Sequence, residues 1–129
     1  MKKEIIISVI IIIFIIFFHA STQVYTQNFF NSISDDLNNI EEKIFSENIN
    51  EDELESDIDS ITNKWKEKYD YFACFIEHDE LEKVQTQLIS IKSNIKTEDY
   101  GKTIDETERC KFILKHIEEK DSLKVVNIL

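Results

Sequence analysis

The sequence predicts an all-α protein: an N-terminal transmembrane or signal-anchor helix, then an antiparallel bundle of three or four helices closed by a short extended C-terminal tail. Three observations predict it. Ile5 to Phe18 is a run of fourteen residues in which only Ser8 is polar. The chain has no proline and a single glycine, Gly101, so little interrupts a helix. Downstream, apolar residues recur at steps of three and four, the spacing that gathers them on one helix face.

The first element is the apolar run. Spanning roughly 30 Å of hydrocarbon at 1.5 Å per residue takes about twenty residues, and Ile5–Phe18 alone falls short. The flank completes the length, because no Asp, Glu, Lys or Arg occurs between Glu4 and Asp35. The span then reaches Tyr25, at the outer headgroup level. Lys2 and Lys3 mark the cytoplasmic end, and the next basic residue is Lys43, so the N-terminus faces inward and the body outward. A cleaved secretory signal is the alternative. Its cleavage sites are poor, since cutting after Ala20 puts Phe18 at −3 and cutting after Ser21 puts His19 there, neither a small residue. The only cysteines are Cys74 and Cys110, which excludes a lipoprotein anchor. Residues 1–27 are thus read as the anchor and 28–129 as one extracytoplasmic domain, located at the cell membrane or, if cleaved, secreted.

Phe29 or Phe30, Ile33, Leu37, Ile40 and Ile44 continue the first helix to about Ser46. Asn50 with Glu53 has the spacing of a capping box and opens a second helix, whose inner face is Leu54, Ile58, Ile61, Trp65, Phe72 and Phe75 or Ile76. That face does not extrapolate onto Leu81, Val84, Leu88, Ile91 and Ile95; the shift of about half a turn predicts that the helix kinks or ends near His78 or that its buried face switches sides, and Asp79 with Glu82 could cap a restart. A last helix starts near Thr97 or Glu98, turns Tyr100, Ile104, Thr107, Cys110, Ile113 or Leu114, and Ile117 inward, and stops around Asp121-Ser122. Leu123 to Leu129, apolar and β-branched, is expected to pack as an extended tail in a groove of the bundle.

Composition removes several functions. The net charge is −11; Lys2, Lys3 and Glu4 contribute +1, leaving −12 on the body. A body this acidic repels nucleic acid and anionic lipid. With one glycine, phosphate-cradling loops, dinucleotide fingerprints and nucleophile elbows are absent. No catalytic, cofactor or metal motif emerges, so the expectation is a protein that is not an enzyme and carries no cofactor. Glu51 to Asp59 holds six acids in nine residues, yet lacks the glycine of an EF-hand loop; these acids read as the solvated first turns of a helix.

The residues that remain are candidates for recognition. His78, within Glu77-His78-Asp79-Glu80, is the natural pH-responsive group, although four consecutive helical residues point in different directions and cannot converge on one ion. Trp65, Tyr69, Tyr71, Phe72 and Phe75 could line a ligand or partner site, although aromatics at helical spacing read first as core; Tyr69, Tyr71 and Phe72 cannot all face inward, so at least one is exposed or meets a partner. Cys74 and Cys110 would lie where disulfides are permitted. A bridge is expected only if the second and last helices are neighbours; otherwise the two are small buried thiols.

Trp65, the segment Ile76-Glu77-His78-Asp79-Glu80-Leu81, Glu98-Asp99-Tyr100 at the start of the last helix, and the closing Leu123 to Asn127-Ile128-Leu129 resemble the bacterial DUF4363 proteins. These are small membrane-anchored chains of unknown function from spore-forming Gram-positive bacteria. The resemblance covers roughly Phe29 to Leu129 and implies a helical extracytoplasmic domain with no activity attached. Function is therefore expected to be structural or partner-binding, through a protein partner or a homo-oligomer, with a small-ligand or pH-sensing domain as the alternative.

Overall fold

The computed structural model describes residues 1–128 as four helices: α1 (Lys2–Phe45), α2 (Glu51–Ala73), α3 (His78–Lys96) and α4 (Tyr100–Ile128). No strand occurs among the described residues. α1 packs on α2 and α4, and α3 packs on the same two, whereas the backbones of the diagonal pairs α1–α3 and α2–α4 make no close approach among the described residues. Short turns between consecutive helices make this an up-down-up-down four-helix bundle, with α1 supplying both the apolar N-terminal segment and one corner.

Buried positions alternate by three and four, with one step of seven from Trp65 to Phe72: Thr26, Phe30, Ile33, Leu37, Ile40 and Ile44 on α1; Leu54, Ile58, Ile61, Trp65 and Phe72 on α2. α3 contributes Leu81, Val84, Leu88, Ile91 and Ile95, and α4 contributes Thr103, Thr107, Cys110, Leu114 and Ile117. A repeat of seven over two turns keeps each seam facing its neighbours through a left-handed supercoil. The threonines of α4 are buried at no unmet polar cost: Thr103 donates to the Asp99 carbonyl, and Thr107 shares its one hydroxyl proton between Glu41 Oε1 at 2.6 Å and the Ile104 carbonyl at 2.8 Å.

Below Thr26 the same helix changes character. The large apolar side chains between Ile5 and Phe18 are 45–69% exposed on every side. By length and composition α1 is the one helix among the described residues able to cross a membrane, a test that a signal sequence also passes. Nothing breaks the helix at the 27/28 boundary.

The turns show where local chemistry decides. Asn50 Oδ1 accepts from the Glu53 backbone N–H, but the Glu53 carboxylate turns to Lys43 at 2.8 Å, so only half of the expected capping box forms. The chain breaks at Cys74–Glu77, where the N–H groups of Phe75 and Ile76 fall back on the Phe72 carbonyl. Asp79 does not cap α3. Glu77 holds the N-cap position with no hydrogen bond from its side chain to the helix end, and Asp79 lies inside the first turn, where its charge meets the positive helix end.

The turn from α3 to α4 is a Schellman motif: Asp99 N–H donates to Asn94 O at 2.9 Å and Glu98 N–H to Ile95 O at 3.0 Å. The left-handed residue is Glu98, φ 56°, rather than the usual glycine. Asp99 then caps α4, accepting from Lys102 N–H at 3.2 Å.

The expected stop at Asp121-Ser122 does not occur. α4 runs to Ile128, so the backbone from Leu123 is helical and not extended. Lengthening an existing helix needs no new nucleus, and no glycine or proline follows Gly101. The expected packing of this tail into a groove falls on side chains outside the described residues.

Candidate functional site

The chemically richest region is the base of the bundle, where α1 enters, α2 ends, α3 begins and α4 passes. α2 delivers most of it. Trp65, Tyr69 and Phe72 are spaced by four and three and face inward, while Tyr71, about 100° round the helix from Phe72, is left outside. Its ring stands edge-on to Tyr25 at 5.1 Å, Phe72 at 5.2 Å and Phe75 at 5.3 Å. Burial and the Tyr25 phenol raise the Tyr71 phenol above its ordinary range. Lys68 Nζ lies 5.9 Å from the centre of the Tyr25 ring.

Trp65 is fully buried, its ring against Phe29, Phe30 and Phe72 at centroid distances of 6.3, 5.9 and 6.2 Å. Its Nε1–H has no hydrogen-bond partner among the described residues. Trp65 is thus a core residue, and no hydrogen bond or ring contact joins it to His78 there.

Tyr69 and His78 do meet, across the break between α2 and α3. Tyr69 Oη lies 2.9 Å from His78 Nδ1, and His78 Nε2 lies 2.9 Å from Glu82 Oε1, one turn along α3. With a neutral imidazole protonated at Nε2, Tyr69 donates to Nδ1 and Nε2–H donates to Glu82; protonation reverses the first bond. The Tyr69 phenol is raised by burial and by the nearby Glu82 and Asp70 charges. The His78 side chain is 65% exposed, so water reaches it. Glu82 was readable as His78's partner from the i, i+4 spacing.

The remaining candidates separate. Cys74 is free and exposed, donating its Sγ–H to the Asp70 carbonyl at 3.4 Å; Cys110 is free and buried. The condition set for a disulfide, α2 beside α4, is not met: the two helices occupy opposite corners, and Cys110 sits inside the core. Burial pushes the Cys110 thiol up to about 12.

The acidic run at the start of α2 is more than a solvated face. Asp57 and Glu53 hold Lys43 of α1 at 2.6 and 2.8 Å, and Asp59 and Glu55 hold Lys92 and Lys96 of α3 at 2.6 and 3.9 Å. Across the base, Lys120 reaches Glu77 at 3.3 Å and the buried Glu80 at 3.8 Å. Among the described residues no group of three or more His, Cys, Asp or Glu is arranged to hold a metal ion.

A family model described as a domain of unknown function, DUF4363, matches residues 20–128. Comparisons with curated proteins and with solved structures each return no match.

Proposed function

The chain belongs to the DUF4363 family, and from that premise we propose that it is a membrane-anchored, extracytoplasmic helical bundle acting as a non-enzymatic structural or protein-interaction module. The observation that carries this reading is the double use of α1. Its N-terminal part presents an apolar surface on all sides, and its C-terminal part builds the bundle core without an intervening break. An exposed apolar sleeve of this size is untenable in water and is the normal state of a helix in lipid. Ile5 to Tyr25 is about 31 Å long at 1.5 Å per residue, and Lys2 and Lys3 favour a cytoplasmic N-terminus.

Carbonate washing of membranes, followed by protease treatment of intact cells, tests the anchor. The full-length chain should remain in the washed membranes, and its body should be digested from outside. Recovery of a soluble form whose N-terminus begins near Ser21 would establish the secreted alternative. In-cell cross-linking then tests the interaction role: reproducible capture of one membrane or surface protein, or of a second copy, supports it, and a strictly monomeric, partnerless body counts against it.

The Tyr69–His78–Glu82 chain favours a second reading, a pH-sensing domain. Protonation of the His78 imidazole would reverse the bond that ties α3 to α2. Trp65 lies one turn from Tyr69, so its fluorescence is the reporter. A titration that is flat, or identical in His78→Gln, removes this reading.

A further inference from the structure

α4 is longer than the bundle needs. At the base α2 ends at Ala73 and α3 begins at His78, and Lys120 is the last α4 residue with a described ion pair to that break. The helix nevertheless continues to Ile128, about 12 Å farther at 1.5 Å per residue. Its direction is fixed by its antiparallel run along α1: Thr107 bonds Glu41, Lys111 bonds Asn38, and Glu118 lies against Gln27. Continuing that register carries residues 122–128 alongside α1 between about Phe18 and Tyr25.

α1 itself records a neighbour at this level. His19, Thr22 and Gln23 are half-buried and Thr26 is buried, extending the core stripe of the same helix below the end of α2. The His19 Nε2 atom is occluded without a hydrogen-bond partner. Only α4 continues past the base in this direction.

We propose that the last two turns of α4, Leu123–Ile128, enter the outer leaflet beside α1, so that two antiparallel helices rather than one meet the lipid. This rests on the proposed membrane span of α1. If Tyr25 marks the edge of the hydrocarbon, residues from Leu123 onward lie inside that edge. Their composition suits the place: Leu123, Val125, Val126, Ile128 and Leu129 are apolar, with Lys124 and Asn127 between them. A helix apolar on most sides and supported by one neighbour is unstable in water. A lysine close to the interface is tolerated because its long stem lets the amine reach headgroups. The family match runs through residue 128, so this segment is part of the shared domain.

The test uses the full-length chain in phosphatidylcholine–phosphatidylglycerol vesicles. An environment-sensitive fluorophore is attached singly at Phe14→Cys, Val126→Cys, Val125→Cys or Ile89→Cys in a Cys74→Ser background, with Cys110 left as a buried thiol. Lipids carrying a nitroxide high or low on the acyl chain serve as quenchers, and circular dichroism confirms helicity of each variant. Labels at 126 and 125 should be quenched at least about twofold more than the label at 89, preferentially by the shallow nitroxide, while the label at 14 responds to the deep one. Quenching at 14 with 125 and 126 matching 89 would overturn the proposal and leave the anchor intact. Absence of quenching at 14 would overturn both together.

Discussion

Cys110 provides a sharp check on the core. Its thiol is fully buried in α4 and pushed up to about 12, whereas Cys74 is exposed at the end of α2. Alkylation requires the thiolate. At pH 8 a thiol with the reference value 9.0 is about one-tenth ionised, and one at about 12 is ionised in about one molecule in ten thousand, a ratio near 1,000 from ionisation alone. If reagent instead reaches Cys110 through opening of the bundle, the rate falls by the opening equilibrium, about tenfold for each 1.4 kcal/mol, so a stability of 5 kcal/mol gives a comparable factor. Either route predicts one adduct, at Cys74, when the native protein meets iodoacetamide under non-reducing conditions, and two adducts in denaturant. Time-resolved intact-mass spectrometry with peptide mapping measures this, and a urea series separates the routes because only opening is accelerated well below the unfolding midpoint. Equal labelling rates for the two cysteines, or a linked Cys74–Cys110 peptide, would refute both the placement of α4 and the diagonal arrangement of α2 and α4.

Three further outcomes follow from the turns and the charge pattern. Asn50→Ala removes the side chain that accepts from Glu53 N–H and should cost about 1 kcal/mol, seen as a Tm loss of roughly 4–8 °C for a domain of this size; no change would mean that water replaces the cap. Glu98→Gly should stabilise by roughly 1 kcal/mol, since it relieves a left-handed non-glycine residue, φ 56°, and removes a carboxylate that lies against Glu51; a lower urea midpoint would sink that reasoning. Alkaline pH should weaken the bundle. Lys43 and Lys92 are raised by hydrogen bonds to Asp57 and Asp59; burial lowers Lys111, but its bonds to Glu108 and Glu41 leave it raised overall. A raised folded value means the stabilisation is complete below the reference value of 10.5 and is lost as pH rises through the folded values, so Tm should fall above about pH 10.5, and a flat profile to pH 12 would contradict these pairs.

The core was readable because burial imposes a spacing that few other demands disturb. Ile33, Leu37, Ile40 and Ile44 on α1, Leu54 to Trp65 on α2, and Leu81 to Ile95 on α3 are all inside, and the slip near His78 is a real break. What escaped were features set by tertiary geometry. The end of α3 carries Glu98 where a glycine would announce a left-handed residue, and Gly101 lies within α4 and serves no turn. The α4 terminus was misplaced because β-branched residues suggest extension, whereas propagation of a preformed helix overrides weak propensity. At the base, Tyr69 and His78 were singled out separately, and no periodicity could place them 2.9 Å apart across a break in the chain.

The ion pairs address a problem that the apolar heptads leave open. The short turns make consecutive helices neighbours, but four seams of Ile and Leu are nearly interchangeable, so hydrophobic packing says little about the register along each seam. Lysine placement supplies that information. Lys43 ties α1 to α2, Lys92 and Lys96 tie α3 to α2, Lys111 ties α4 to α1, and Lys120 ties α4 to the α3 entrance. Each adjacent pair has its own bridge, and the diagonal pairs have none among the described residues. A partly exposed pair contributes at most about 1 kcal/mol, so these contacts do little for stability in sum. Their effect is larger on the alternatives: with 26 acidic residues against 15 basic ones, a changed neighbour or register sets carboxylates against carboxylates. The acidity that looked like a mere solubilising surface therefore also weighs against shifted registers, and Lys111 on Glu41 holds α4 in step with α1.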